Sequence, residues 1–232
     1  YPLEFFTALL RTVDSKDRRP KYLKDVVDAG YKVFPPCINR SDVLAGPDPS
    51  GEGIRFGLSD CLRVGPKMGD RLLEGRPEGG YKSLEEVVAA ARNKGAIDAL
   101  TAAGAFECFG VSCDKEQQET LLGWPFYDPM VKWRKKYRGE VFLPDDHGGE
   151  CVIVGEIMKM DKGKTKNNKP YMTWKIRWSP AHTYDIRLWA ETERLWKLKK
   201  GSVVMVSGEW EVRWHNLSIG NPRQVRVLKR VE

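Results

Sequence analysis

The chain has 232 residues, 41% of them hydrophobic and 31% charged, which is enough apolar side chain for a packed core and excludes global disorder. The length suits one large domain or two small ones. No apolar run approaches the ~20 residues of a membrane-spanning helix, and no signal peptide opens the sequence. The first residue is Tyr1, not Met, and is read as the start of a fragment or of a processed product, with missing upstream sequence as the expectation. Lys and Arg number 39 against 32 Asp and Glu, a net charge of +7 and a pI near 9.1. Residues 1–149 hold 22 basic and 23 acidic side chains, a net of −1, whereas residues 150–232 hold 17 and 9, a net of +8. A basic excess confined to the last third points to a polyanion, most often nucleic acid, with a merely solvated basic surface as the plain alternative.

The five cysteines, Cys37, Cys61, Cys108, Cys113 and Cys151, are odd in number and irregular in spacing. That argues against a disulfide framework and for the cytoplasm. Structural zinc needs close Cys or His pairs; only Cys108 and Cys113 approach one, so free buried thiols are expected and no metal ligands are assigned.

The first part reads as helices. Pro2 suits a first helical turn, and Phe5, Phe6, Leu9 and Leu10 share a face. A second helix runs through Tyr22, Leu23, Val26 and Val27 and stops at Gly30. Pro35-Pro36 imposes extended chain, and residues 45–53 read as a surface loop. The segment FGLSDCLRVGPKMGDRLLEG reads as helix, turn, helix, with the turn at Arg63-Val64-Gly65-Pro66-Lys67. In a helix-hairpin-helix, such a turn aims backbone amides and a helix N-terminus at a DNA phosphate. The motif uses Gly-hydrophobic-Gly, so Arg63 stands where a Gly is usual. Ser83 and Glu86 have capping-box spacing for a helix to about Arg92. Another helix follows from Ala96 to Ala103, and its turn at Gly104 gives a second hairpin candidate, although a Gly between helices is also a common C-cap. Residues 114–137 read as two short helices broken at Gly123–Pro125, and residues 138–149 as the domain boundary.

From Glu150 the texture becomes strand-like. Five strands are expected, CVIVGEIMKM, YMTWKIRW, TYDIRLW, SVVMVSGEWEVRW and QVRVLKRV, with a short helix near ETERLWKL after the third. That layout is an OB-fold barrel; an SH3-like barrel normally lacks the helix. The fold class is therefore α+β multi-domain: an all-α helix-hairpin-helix region, then a five-stranded OB-fold β-barrel. Alternation puts Met172, Trp174, Ile176 and Trp178 inside, and leaves Tyr171, Lys175, Arg177, Arg187 and Trp189 as candidates for an outer surface where rings stack on bases and cations meet phosphates. The loop MDKGKTKNNKP adds Lys162, Lys164, Lys166 and Lys169, either a solvated hairpin tip or one wall of a ligand groove. The loop between strands four and five is expected to add Arg213, Trp214, His215, Asn216 and Arg223.

The blocks YPLEFFTALL, KVFPPCINRSD, IRFGLSDCLRVG and NKGAIDALTAAGAFECFG, in that order, resemble the C-terminal half of the bacterial DNA polymerase III alpha subunit, a C-family polymerase. QQETLLGWPFYDP resembles the segment leading into that family's OB domain. The resemblance implies that residues 1–50 are the end of the fingers and that 51–137 are a tandem helix-hairpin-helix region holding duplex DNA, with Arg63, Gly65, Lys67 and Gly104 at the backbone. It further implies that 138–149 link to an OB domain at 150–232 near the single-stranded template. The family's catalytic palm with its Mg-binding aspartates lies upstream, so no cofactor is expected within these residues. Asp145-Asp146 reads as solvated loop, since two-metal catalysis needs converging carboxylates. The implied partners are double- and single-stranded DNA, the catalytic half of the polymerase and a sliding clamp, with no membrane, and the chain is expected to be a monomer. Gln118, Leu121 and Leu122 partly match the family's clamp-binding peptide, without its final aromatic, and align better with the ordinary helix before the OB domain. Branch-migration proteins and NAD-dependent ligases place the barrel before the hairpins, the reverse of this order. A module docking another replisome subunit is the alternative function.

Overall fold

The computed structural model describes residues 1–12, 18–144 and 147–231. The chain forms two compact units, Tyr1–Tyr127 and Asp128–Glu232.

The first unit begins with α1 (Pro2–Thr12) and α2 (Arg19–Asp28). Leu10, Leu23 and Val26 are buried, but Phe5 is 63% exposed, so the apolar face of α1 is narrower than its sequence suggests. Gly30 follows α2 at φ 87°, as its stop signal requires. The unit is not all helix. β1 (Lys32–Phe34) pairs parallel with β3 (Gly53–Arg55), and β3 pairs antiparallel with β2 (Gly46–Pro47). Asp48 and Arg55 form a buried ion pair beside this sheet, and the Arg55 Nη1 also donates to the Pro35 carbonyl at 2.8 Å. Burial pushes the Asp48 carboxyl up, but hydrogen bonds from Ser50 and Arg55 outweigh it and hold it below the usual carboxylate range.

Four more helices complete the unit: α3 (Pro66–Glu74), α4 (Leu84–Ala91), α5 (Lys94–Ala103) and α6 (Lys115–Leu122). Ser83 caps α4 by accepting from the Glu86 amide, and the Glu86 carboxylate accepts from the Lys82 amide at 2.8 Å. Asn93 caps α5 by accepting from the Ala96 amide at 3.0 Å, which starts that helix two residues before the position expected from sequence. Phe56, Leu58, Leu72, Val87, Leu100 and Phe106 are fully buried and form the centre of the core.

The second unit opens with α7 (Val131–Lys136). Its strands are β4 (Gly149–Lys164), β5 (Pro170–Arg177), β6 (Thr183–Trp189), β7 (Val203–Glu211), β8 (Asn216–Ile219) and β9 (Val225–Lys229). β4 pairs antiparallel with β7 through its first half and with β5 through its second. β5 pairs with β6, β6 runs parallel to β8, and β8 pairs with β7, which closes a five-stranded ring. A short helical stretch at Ala190–Lys197 lies between β6 and β7. Trp174, Ile153, Ile157, Ile176, Ile186 and Leu188 fill the interior. This is the OB-fold barrel.

Two expectations change here. The strand that closes the barrel is β8, four residues long, and not QVRVLKRV; that segment forms β9, a sixth strand added to the edge of β7. The division between units falls at Tyr127/Asp128, ahead of the expected linker at 138–149. α7 belongs with the barrel because Met130 and Tyr137 pack against Val154, Val203 and Met205 on its outer wall. Burial of apolar side chains of this size contributes about 1.5–3 kcal/mol each. An antiparallel bridge between Phe142 and Val152 ties residues of the expected linker to β4 as well.

Candidate nucleic-acid interface

The register of β4, β5, β6 and β8 determines what the outer face of the barrel presents. Because side chains alternate along a strand, residues paired across strands share a face. One row is Gly163, Tyr171 and Trp189; the next is Asp161, Thr173, Arg187 and Ser218; the third includes Lys175, Asp185 and Asn216. The Tyr171 and Trp189 rings lie 6.0 Å apart, and the Arg187 guanidinium sits 5.5 Å from the Tyr171 ring and 5.9 Å from that of Trp189. The Trp189 Nε1 donates to the Ser218 Oγ at 2.7 Å, which fixes the indole. The close approach of Tyr171 depends on Gly163, where a Cβ would fall 2.6 Å from the tyrosine Cζ. Lys175 and Asp185 form a loose ion pair at 3.8 Å, half exposed.

Loops border this face at both ends. The β4–β5 hairpin tip carries exposed Lys166 and Lys169 on a turn in which Thr165 and Lys169 exchange hydrogen bonds. At the other end, the β7–β8 turn at Val212–Trp214 carries Arg213 and Trp214. Trp214 is 58% exposed, with the Arg213 guanidinium 5.2 Å from its ring.

Four expected residues sit differently. Arg177 alternates outward but is buried, paired with Glu156 at 3.0 Å directly across the β4–β5 ladder, so it is a structural ion pair. Lys162 and Lys164 pair with Met172 and Pro170, which puts them on the core-side face of the hairpin extension, opposite Tyr171. Arg223 lies on the turn Pro222–Gln224 that follows β8, at the far end of that strand from the β7–β8 turn. Ser218 is not legible in the sequence, because a lone serine in a four-residue strand carries no signal of the indole it holds.

The two hairpin turns differ. In the first, the arm before the turn is a single helical turn, Leu58–Asp60, rather than a full helix. Arg63 adopts φ 73°, the left-handed conformation that the usual glycine supplies without strain. Gly65 is the N-cap of α3, with Pro66 at the first helical position, and Arg63, Gly65 and Lys67 are all exposed. Helix N-termini leave amides without intrahelical acceptors, so this end of α3 suits a phosphate. Arg63 also lines a cavity of about 440 Å³ with Asp98, Asp114 and Glu116. Those carboxylates would repel a phosphate, which leaves the Gly65–Lys67 side as the favourable approach.

The second turn is closed. Gly104 is buried at φ 86° as the C-cap of α5. Gln118 covers it, donating from Nε2 to the Ala103 carbonyl at 2.8 Å. Gly104 is thus a packed cap and not a backbone-binding turn. Gln118, Leu121 and Leu122 are themselves buried in the first unit and do not form an accessible clamp-binding peptide.

Parts of the chain are similar to known proteins. Residues 30–117 match the family described as a helix-hairpin-helix motif. The DNA polymerase III subunit alpha of Thermus aquaticus is 35% identical over 150 residues, 60% of this chain and 11% of that protein. Part of the chain is similar to a segment of the DNA polymerase III alpha subunit. It spans about a tenth of the length of the curated relatives it matches, including an error-prone DNA polymerase of Vibrio campbellii, 34% identical over 46% of this chain and 11% of that protein. Among solved structures, the Saccharomyces cerevisiae mitochondrial single-stranded DNA binding protein Rim1 aligns at a TM-score of 0.31 and 21% identity, over 35% of this chain and 96% of that one.

Among the described residues, no group of three or more His, Cys, Asp or Glu side chains could hold a metal ion. Asp145 and Asp146 lie outside the described residues. Of the cysteines, only Cys61 and Cys151 are buried, fewer than expected. Burial, with Asp60 adding to it, pushes the Cys61 thiol up to about 12, and burial raises Cys151 to about 11. Cys108 rises to about 11 through burial and then the neighbouring Cys37 thiol. Thiols shifted this way stay protonated at neutral pH and are poor nucleophiles.

Proposed function

We propose that this chain is a non-catalytic DNA-binding portion of a C-family polymerase. Single-stranded DNA would cross the outer face of the barrel, and duplex backbone would meet the first hairpin turn. The observation that carries this reading is the Tyr171–Arg187–Trp189 cluster on an outer barrel face bounded at both ends by cationic loops. Base–aromatic stacking is worth about 1–3 kcal/mol per base and tolerates any sequence, since every base has a π-face. Trp189, held by Ser218, and the exposed Trp214 offer such surfaces; Arg187, Arg213, Lys166 and Lys169 supply charge to the phosphates. At the hairpin, the α3 N-terminus and Lys67 would take one backbone phosphate without reading sequence.

The test is fluorescence anisotropy with oligothymidine over a salt series. Trp189→Ala should weaken binding by about 1–3 kcal/mol with little change in salt slope, because a ring and not a cation is lost. Replacing Lys166 and Lys169 with Ala should weaken binding and flatten the slope, by about 0.7 for each phosphate contact removed. Unchanged affinity in both variants would place the single strand elsewhere.

A further inference from the structure

The second unit carries another run of cations, away from the groove. From residue 131 to 138 the sequence is VKWRKKYR, in which five of eight residues are basic and none is acidic. Arg134 is engaged internally: it pairs with Asp128, and its Nη1 donates to the Trp178 carbonyl at 2.6 Å. Lys132, Lys135, Lys136 and Arg138 are exposed. The rings beneath them are organised. Trp133 and Tyr137 stack at 6.3 Å and 7°. Lys132 and Lys136 lie 5.4 and 5.9 Å from the Trp133 ring, and Lys136 and Arg226 lie 5.2 and 5.7 Å from that of Tyr137. Arg226 comes from β9, so two elements that meet on one wall of the barrel supply the patch. Among the described residues, none of Lys132, Lys135, Lys136, Arg138 and Arg226 forms an ion pair within the chain.

We infer that the α7–β9 face is a second DNA contact, one that holds the phosphate backbone of a duplex. The uncompensated charge carries this. In the groove Trp214 is 58% exposed beside the cations; here Tyr137 is buried and Trp133 is half-buried, so no ring of the patch is fully open to a base. These rings hold Lys132, Lys136 and Arg226 in place by cation–π contact. Cations of one sign, uncompensated by carboxylates, complement a dense line of phosphates, and duplex DNA presents about one charge per 1.7 Å of axis. A duplex needs no stacking platform, whereas a single strand gains much of its affinity from one.

The inference rests on the DNA-binding reading, and the test separates the two. The whole chain is titrated with a blunt duplex and with oligothymidine over a salt series. Lys132→Gln, Lys135→Gln and Lys136→Gln combined should weaken duplex binding about tenfold or more and lower its salt slope by about 2.7, while oligothymidine affinity changes by less than about twofold. Arg226→Gln, on a different element, should lower the duplex slope by about 0.9. Circular dichroism and thermal melts establish that each variant is folded. Unchanged duplex binding in both variants overturns the inference and leaves the groove untouched, and an equal loss on both probes overturns it as a separate contact. If the unaltered chain binds neither probe, the DNA reading falls and this inference with it.

Discussion

The two hairpin turns of the first unit have the same backbone feature and opposite surroundings. Each puts one residue in the left-handed conformation, Arg63 at φ 73° and Gly104 at φ 86°. The first turn is exposed and opens onto the N-terminus of α3; the second is sealed by Gln118. A glycine thus occupies the left-handed position that is buried beneath Gln118, and a strained arginine occupies the one that is exposed. The lesson is that turn chemistry specifies a backbone path, while packing around the turn decides whether that path meets solvent. An αL residue other than glycine costs about 1–2 kcal/mol, and such strain tends to persist at functional sites.

Three substitutions sharpen the comparison. Gly104→Ala should have the largest effect, a loss of about 3 kcal/mol in a urea melt, because it combines a left-handed alanine with a displaced buried amide. The new Cβ would fall 2.7 Å from the Gln118 Nε2. Gln118→Ala should cost about 2 kcal/mol by leaving the buried Ala103 carbonyl without its donor. Neither should alter the salt slope of DNA binding; a changed slope would mean that the second turn does reach DNA. Arg63→Gly should do the reverse. Relief of strain, less the added freedom of the unfolded chain, should stabilise the fold by up to about 1 kcal/mol. Duplex binding should weaken with little change in salt slope, since Arg63 shares a cavity with Asp98, Asp114 and Glu116 and no longer offsets their charge. A destabilised Arg63→Gly variant would show that the arginine side chain packs more than its exposure indicates.

Much of the fold was legible because local chemistry and periodicity agree with it. Ser83, Gly30 and the break at Gly123–Pro125 mark helix ends where the structure puts them, and alternation in β5 and β6 separates the Trp174 interior from the Trp189 exterior. What was not legible depends on contacts distant in sequence. β8 is four residues long and pairs in parallel with β6, so its apolar Leu217 and Ile219 are too few to announce a strand, whereas β9 has the longer pattern and lies on an edge. The burial of Arg177 comes from Glu156 across the ladder, which alternation cannot reveal. The basic run of α7 suggests a solvated helix, and its attachment to the barrel shows only in the apolar residues of β7, where Val203, Val204, Met205 and Val206 are buried on both faces of the strand. Within the groove, rings and cations were visible as types; their convergence on Ser218 and Gly163 was not.

The central claim is that DNA binds the barrel's outer face as a stacked single strand. The most direct measurement is the anisotropy of oligothymidine with the unaltered chain and with Trp189→Ala, from low to physiological salt. The account predicts steeply salt-dependent binding by the unaltered chain, and a parallel line displaced by about 1–3 kcal/mol for the variant. Coincident lines would contradict it, since the strand would then be held by charge alone and the Tyr171–Arg187–Trp189 cluster would not be its site.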